Sequence, residues 1–278
     1  MASMRAPGGA EGIGSFVALG DSFTEGLSDP RPDGSGLRGW ADRFAEHLAE
    51  VRPGLAYANL AVRGKLLREV AEDQVPRAIA MRADLVSVAA AGNDLLRPRA
   101  DPDALARDFD NVVVRLRETG CDVLIFTGFD TATFPVLRLI RGKAAVFNMH
   151  LHAIAARRDC HLADLWSMSV LADPREWSPD RLHLTSDGHR RVALRACEVM
   201  GVPVTADWRE PLPALPLPGA WPGRPAGWLA ARRADARWLT DHAAPWLSRR
   251  VRGVSSGDGA QPKRPELLPL NIAGAGTR

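Results

Sequence analysis

Three residues in this sequence, a serine, an aspartate and a histidine, have the types and spacing that acyl transfer requires. Ser22 follows an apolar run over residues 15–19, and Asp180 stands three residues before His183. A hydroxyl is a weak nucleophile at neutral pH and needs an adjacent base, and a carboxylate on the other ring nitrogen holds that base in the right tautomer. We therefore predict Ser22 as a nucleophile, His183 as its general base and Asp180 as the group that orients the imidazole.

Two further positions carry donors for the negative oxygen that develops in such a reaction. Gly64 follows the second apolar run and exposes a backbone N–H, and Asn93 follows the third and carries a side-chain amide. Preorganised donors of this kind stabilise an oxyanion. Together with the backbone N–H of Ser22, they form a predicted oxyanion hole.

Each of these residues also has a purely structural interpretation. Ser22 fits a helix cap at a βα turn, Gly64 fits a loop glycine, and Asn93 fits a turn residue bonded to its own backbone. Asp180 and His183 fit a helix-entry turn followed by a surface histidine. We favour the catalytic interpretation because all of these positions follow predicted strands in a workable order.

Two other aspartate–histidine pairs compete for the same assignment. Asp159 and His161 border a strand, where their side chains point toward a helix layer. Asp187 and His189 lie at the start of a helix, where Asp187 is better explained as a first-turn charge. We leave both pairs outside the predicted site.

Apolar runs alternate with amphipathic stretches through residues 14–202, and this alternation predicts the fold. Strands are predicted at residues 15–19, 55–60, 83–89, 122–126 and 160–165. Helical spacing predicts helices at residues 39–51, 103–119, 134–158, with Gly142 as an interruption, and 186–200. Near-continuous apolar strands are typical of a parallel sheet covered on both faces. We predict an α/β protein with a three-layer α/β/α, flavodoxin-like five-stranded parallel sheet, in which ligands bind at the carboxyl ends of the strands.

The composition divides the chain into three parts. Residues 1–13 are predicted to form a flexible N-terminus, and residues 14–202 form the α/β domain. Residues 203–278 open with a Pro-rich connector. An amphipathic helix follows, with the apolar stripe Trp228, Leu229, Ala231, Trp238, Leu239, His242 and Trp246. From residue 255 the Gly, Ser and Pro content predicts a disordered basic tail.

The charge is modest but uneven. The formal net charge is +3, whereas residues 203–278 hold 11 Lys and Arg against 6 Asp and Glu, a net of +5. This small surplus is typical of a solvated tail, so we expect no nucleic-acid partner. Peripheral contact between the basic helix and a membrane stays open as an alternative.

The cysteines and histidines favour a cytoplasmic protein without a metal. Cys121, Cys160 and Cys197 are far apart and odd in number, which predicts free thiols in a reducing compartment. His150 and His152 lie two residues apart in a predicted helix and do not share a face. We also predict neither a secretory signal nor a transmembrane segment, because no apolar run approaches the ~20 residues that a membrane span needs.

The residues around the predicted site strongly resemble the SGNH hydrolase superfamily, also called GDSL esterases or lipases, and in particular its actinobacterial members. The first block is Gly20-Asp21-Ser22-Phe23-Thr24-Glu25-Gly26, the second is Gly64, and the last runs from Asp180 to His183. The third block, Ala90-Ala91-Gly92-Asn93-Asp94, departs from the family's Gly-x-Asn-Asp in having alanine in place of the glycine. The resemblance covers about residues 14–200, so the C-terminal extension lies outside it.

The resemblance implies a three-layer fold and hydrolysis of a small-molecule ester through an acyl-enzyme on Ser22, with no cofactor. The other common serine-hydrolase signature, Gly-x-Ser-x-Gly, is absent because Thr24 occupies its last position. Carbohydrate O-deacetylation, thioester hydrolysis and acyl transfer use the same triad and remain alternatives. A binding module that does no chemistry is the alternative outside enzymes.

Overall fold

The computed structural model describes residues 12–134, 137–214 and 257–271. Within these ranges the strands are β1 Ser15–Gly20, β2 Ala56–Asn59, β3 Leu85–Ala89, β4 Asp122–Phe126, β5 His161–Ala163 and β6 Arg264–Pro269. The principal helices are α1 Ser22–Glu25, α2 Gly39–Val51, α3 Leu67–Glu69, α4 Val75–Met81, α5 Gly92–Leu95, α6 Pro102–Arg117, α7 Arg141–Arg158 and α8 Ser186–Met200. A π turn over Val70–Gln74 joins α3 to α4, and a 3₁₀ turn over Leu137–Ile140 leads into α7.

One sheet with the order β5-β4-β3-β1-β2-β6 forms the middle layer. The first five strands pair in parallel, which confirms the predicted flavodoxin-like arrangement. The side chains of β1 alternate between two cores: Phe16 packs on one face with α2 and α8, and Val17 packs on the other with α6 and α7. The predicted three-layer α/β/α fold is therefore confirmed.

The sixth strand is a correction to the sequence prediction. The composition of residues 255–278 predicts disorder, yet within them β6 pairs antiparallel with β2, with Tyr57 opposite Leu268 and Ala56 opposite Pro269. The Pro and Gly content is compatible with an edge strand, where a missing N–H can face away from the sheet. The Pro-rich connector beyond residue 214 and the amphipathic helix predicted around Trp228–Trp246 lie outside the described residues, as do residues 1–11.

Candidate active site

The turn that presents Ser22 is fixed by its backbone partners. β1 ends at Gly20, and Asp21 caps α1 by accepting a hydrogen bond from the N–H of Phe23 at 3.1 Å. A Cβ on Gly20 would lie 2.3 Å from the carbonyl oxygen of Ala89, and the φ of Gly20 is +149°, so only glycine fits there. Ser22 thus begins a short helix at the carboxyl end of β1.

A buried glutamine holds this turn from behind. The side-chain oxygen of Gln74 accepts the N–H of Gly20 at 2.8 Å, and its amide nitrogen donates to the carbonyl of the same residue at 2.9 Å. Gln74 belongs to the π turn, and turns of this kind are frequent near functional sites. Gln74 is not among the predicted site residues, because it lies 54 residues from its partner Gly20 and in no recognised block.

A closed loop over residues 176–185 carries the aspartate and the histidine. Trp177 and Leu184 form an antiparallel bridge across the loop, and the N–H of Ser178 donates to the carbonyl of His183 at 2.8 Å. Asp180 Oδ1 accepts hydrogen bonds from the Ser178 hydroxyl at 2.6 Å and from the N–H of His183 at 3.0 Å. The spacing of three residues seen in the sequence is therefore the spacing of a tight, internally bonded turn.

Ser22, His183 and Asp180 form one hydrogen-bonded chain. His183 Nε2 lies 3.0 Å from Ser22 Oγ, and His183 Nδ1 lies 2.6 Å from Asp180 Oδ2. Burial alone would raise the pKa of Asp180, but the hydrogen bond and charge of His183 and the Ser178 hydroxyl together hold that pKa well below its usual range. An ionised Asp180 can orient the imidazole so that its Nε2 accepts the serine proton.

The three predicted oxyanion donors surround the same cavity. The N–H of Ser22 lies at the start of α1, and Gly64 has a φ of +77°, which favours glycine. Asn93 Nδ2 donates to Asp21 Oδ2 at 3.0 Å and to the carbonyl of Lys65 at 3.2 Å. The amide of Asn93 is therefore held in place by other acceptors beside Ser22.

Asp21 is a second residue whose part in the site the sequence did not reveal. It caps α1 and also anchors the amide of Asn93. Burial raises the pKa of Asp21 to about 6, although the N–H of Phe23 and the nearby His183 oppose the shift. Its position directly before Ser22 was the available signal.

The third block holds an alanine in a backbone conformation that favours glycine. Ala91, two residues before Asn93, has a φ of +80°, a left-handed conformation that glycine adopts most readily. Alanine in this region costs about 1–2 kcal/mol. This strain is located directly before α5, which carries Asn93 and the carboxylate of Asp94, and Asp94 accepts the N–H of Leu67 at 3.0 Å.

A cavity of about 780 Å³ opens beside Ser22 and His183. Its lining is mixed. Apolar and aromatic residues include Phe126, Phe129, Leu137, Ile140, Phe147 and Trp177, and polar or charged ones beyond the triad include Arg63, Glu69, Arg97, Thr127, Thr131 and Asp258. The rings of Phe129 and Trp177 pack against each other in this lining, with their centroids 4.2 Å apart. This volume lies in the range of small-molecule binding pockets.

The competing pairs have other partners. His189 is buried, its Nε2 lies 3.3 Å from the carbonyl of Leu27, and burial lowers its pKa to about 4. Asp187 binds Arg190 at 2.7 Å, and Asp159 lies at the end of α7, 3.6 Å from Arg117. Of these two pairs, only His189 touches the cavity, and its neutral ring helps to form the wall.

Metal ligands do not gather in the described part of the chain, where no three His, Cys, Asp or Glu side chains come together as a metal-binding group. His150 instead lies 2.6 Å from Asp103 on the surface. Cys121, Cys160 and Cys197 are unpaired. Across the described ranges, the helices are too short or too polar to cross a membrane.

A three-layer α/β/α fold with a serine, a histidine and an aspartate joined by hydrogen bonds at its strand ends is the arrangement of a serine hydrolase. The model of the GDSL-like lipase/acylhydrolase family matches residues 18–191. Because this match covers more than half of the chain, the protein belongs to that family. The match ends before residues 203–278. A comparison with curated proteins gives no match.

Solved structures share the fold at low sequence identity. LAE5, an α/β hydrolase enzyme from the metagenome of Lake Arreo, has a TM-score of 0.57 and 19% identity, covering 72% of this chain and 98% of its own. Axe2, an acetylxylan esterase from Geobacillus stearothermophilus, has a TM-score of 0.56 and 20% identity over 70% of this chain and 95% of its own. TesA has a TM-score of 0.57 and 20% identity over 67% and 97%. These likenesses agree on the architecture.

Proposed function

We propose that this protein is a carboxylic ester hydrolase that works through an acyl-enzyme on Ser22. The observation that carries the proposal is the chain of hydrogen bonds from Asp180 through His183 to Ser22, with distances of 2.6 and 3.0 Å. Membership of the GDSL-like lipase/acylhydrolase family supports the same reaction.

The first half of the reaction transfers the acyl group to the enzyme. His183 Nε2 accepts the hydroxyl proton while Ser22 Oγ bonds to the ester carbonyl carbon, which gives a tetrahedral oxyanion. Asp180 remains ionised and stabilises the imidazolium. The oxyanion then collapses, the bond to the alcohol oxygen breaks, and His183 returns its proton to that oxygen.

The second half repeats these steps with water. His183 accepts a proton from water, the resulting hydroxide attacks the acyl carbon, and Ser22 leaves with the proton that His183 returns. The reaction draws only on side chains and water, so we expect no cofactor requirement.

The proposed oxyanion donors are the N–H groups of Ser22 and Gly64 and the amide of Asn93. In the resting arrangement the Asn93 amide donates to Asp21 and, over the longer distance of 3.2 Å, to the carbonyl of Lys65. We expect the oxyanion to replace the Lys65 carbonyl, because a full negative charge is the stronger acceptor. Asp21 keeps the amide oriented during this exchange.

The apolar and aromatic residues of the cavity lining favour an ester with an apolar acyl group. Each buried methylene stabilises the bound acyl chain by about 0.8 kcal/mol, and the rings of Phe129 and Trp177 give such a chain apolar surface to contact. Carbohydrate O-deacetylation, thioester hydrolysis and acyl transfer are distinguished by one panel: acyl esters of increasing chain length, an acetylated sugar, a thioester and an added acceptor alcohol.

We further propose that the enzyme works in a reducing compartment such as the cytoplasm. The three unpaired cysteines support this, since two of them, Cys121 and Cys197, are buried in separate cores on opposite faces of the sheet. Cell fractionation tests the localisation directly.

Active-site labelling tests the proposed function. A fluorophosphonate should modify one serine in the native protein, and peptide mass analysis should place the added mass on Ser22. The label should be absent in Ser22→Ala. It should be present in the control variant Ser167→Ala, because the hydroxyl of Ser167 donates to the carbonyl of Asp164 and has no part in the proposed reaction. A native protein that stays unlabelled would favour the binding module.

A further inference from the structure

The C-terminal segment, residues 257–271, contacts the elements that form the candidate active site. It lies beyond the region that matches the family model and returns to the sheet as β6, at the edge formed by β2. A strand in this place has an evident structural role, because it covers an otherwise open edge. Its side-chain contacts go further than edge pairing requires.

Lys263 lies directly before β6, and its buried side chain joins the two ends of the loop that connects α1 to α2. Its ammonium group donates to the carbonyl of Glu25 at 2.6 Å and to the carbonyl of Arg38 at 3.0 Å. It also donates to the carboxylate of Asp42 in α2. Only 18% of the Lys263 side chain is exposed, so these partners replace water. Charge-assisted hydrogen bonds of this kind are stronger than neutral ones.

Glu25 links Lys263 to the Gly64 loop, residues 60–66 between β2 and α3. It is the last residue of the four-residue helix that Ser22 begins, so its carbonyl, which Lys263 holds, lies at the other end of that helix. Its buried carboxylate accepts the N–H of Arg63 at 2.7 Å and the Arg63 Nε at 3.0 Å. Arg63 directly precedes Gly64, the proposed backbone donor.

Gly257 touches the same loop from another direction. A Cβ on Gly257 would lie 1.9 Å from the carbonyl oxygen of Arg63 and 3.2 Å from Val62. No side chain fits there unless the loop moves. The neighbouring Asp258 lines the cavity itself. The segment therefore meets the site at α1, the nucleophile helix, and at the Gly64 loop.

We propose that Lys263 and Gly257 are positioning residues that set the nucleophile helix and the Gly64 loop relative to each other. The inference rests on the proposed ester hydrolysis and assigns the C-terminal extension a part in it. The active site of this protein is then completed by a segment outside the family-matched region. A displacement of about 1 Å at such a site costs up to ~100-fold in rate.

Three single variants of the full-length chain test the inference. Lys263→Met removes the contact with Glu25, Gly257→Ala pushes on the carbonyl of Arg63, and Arg264→Met is the matched control. Arg264 is the next residue in the same segment, but it donates to the carbonyl of Tyr57 at 2.7 Å and to carbonyls within β6. The readouts are kcat and KM for an ester, the second-order rate of Ser22 phosphonylation by a fluorophosphonate, and Tm.

The expected result separates Lys263 and Gly257 from the control position Arg264. Lys263→Met and Gly257→Ala should lower kcat and the phosphonylation rate by ~10–100-fold, with KM changed much less. Arg264→Met should keep wild-type kcat even though its Tm falls. If Lys263→Met and Gly257→Ala retain wild-type kcat and phosphonylation rates, the segment only covers the sheet edge and the inference is overturned.

Two controls keep the outcome interpretable. Lys263→Met leaves the buried Asp42 carboxylate with Arg31, at 3.4 Å, in place of two cationic partners. If this single variant fails to fold, the double variant Lys263→Met/Asp42→Asn removes the buried charge as well, and the same losses are expected for it. A Ser22→Ala variant with wild-type turnover would refute the proposed function itself. Loss of activity in Ser22→Ala with none in the Lys263 and Gly257 variants would refute only this inference.

Discussion

The position of Ser22 depends on its hydrogen-bond partner His183 and also on Asp21, which holds the residues around it. Asp21 both caps the helix that Ser22 begins and holds the amide of Asn93. Its pKa of about 6 means that this carboxyl is ionised at neutral pH, when it accepts both hydrogen bonds, and becomes protonated in mild acid. One residue thus fixes the nucleophile and a proposed oxyanion donor together.

Replacing Asn93 by alanine should lower kcat far more than it raises KM. An oxyanion donor acts on the transition state rather than on bound substrate, and the loss of one such donor costs ~10²–10³-fold in rate, or about 3–4 kcal/mol. Steady-state kinetics and Tm measured on the same preparation check this. Asn111→Ala, at an exposed position of α6, is the matched control. A lowered Tm with unchanged kcat would make Asn93 a turn residue.

At the scale of elements, the loop that carries Asp180 and His183 is tied to α8 by buried charges. Glu176, at the base of the loop, forms a 2.9 Å ion pair with Arg191 of α8. Burial raises the pKa of Glu176 to about 7, and the nearby Asp187 adds to the shift, whereas Arg191 opposes it. The loop therefore carries a group that titrates near neutral pH.

The pH dependence of stability should change in Glu176→Gln. A carboxyl with a folded pKa above its unfolded value of ~4.3 contributes stability that is full at lower pH and is lost as pH rises toward 7. Between pH 5 and 8 the free energy of unfolding of the wild type should fall by about 2 kcal/mol relative to Glu176→Gln. Urea unfolding at both pH values measures this. Glu72→Gln, in an exposed pair with Arg68, should behave as the wild type, and an identical pH dependence in Glu176→Gln would contradict the account.

The helix α7 should control the length of the acyl group. Ala144 faces the cavity, and a phenylalanine there fills space that a longer chain would occupy. We expect Ala144→Phe to lose activity on long-chain esters while retaining it on short ones, by ~3–4-fold for each methylene that no longer fits. Val146→Phe places the same ring on the exposed side of the same helix and should leave the chain-length profile unchanged. Equal losses on all esters in Ala144→Phe would place the acyl group elsewhere.

At the scale of the whole molecule, the sequence was most informative where a pattern is local. The bounds of α2 and α8 match the predicted 39–51 and 186–200, because amphipathic spacing defines each helix within one stretch and Gly201 ends α8. The 3₁₀ turn before α7 was missed: the helix begins at Arg141 and Gly142 lies inside it, since a single glycine costs only about 1 kcal/mol there.

The contacts that the sequence could not predict join residues far apart in the chain. Gln74 binds Gly20 across 54 residues, and Lys263 binds Glu25 across 238. Neither residue belongs to a recognised block. The composition around β6 is typical of disorder, and the strand forms because β2 supplies an edge to pair with. The groups proposed to do the chemistry were found from their order after strands, whereas the groups that hold them were not.

A chain that ends at residue 262 should be less stable than the full-length protein. It leaves β2 as an open edge. It also removes Lys263 from the buried Asp42 carboxylate, which keeps Arg31 at 3.4 Å, and loss of one partner of a buried pair costs up to about 3–5 kcal/mol. Calorimetry and light scattering should show a lower Tm and more aggregation. A chain that ends at residue 271 keeps β6 and serves as the control, and equal Tm values for both chains would contradict this role of β6.

The turnover of Ser22→Ala tests the central claim most directly. The hydroxyl is the atom that forms the acyl-enzyme in this account, and loss of one triad member costs ~10⁴-fold or more in rate because the triad acts as a unit. The measurement is kcat on an acyl ester for the wild type and for purified Ser22→Ala, with circular dichroism and Tm showing that both are folded. We predict a folded variant with turnover at least ~10⁴-fold lower. A folded Ser22→Ala that hydrolyses the ester at a rate comparable to the wild type would contradict the account.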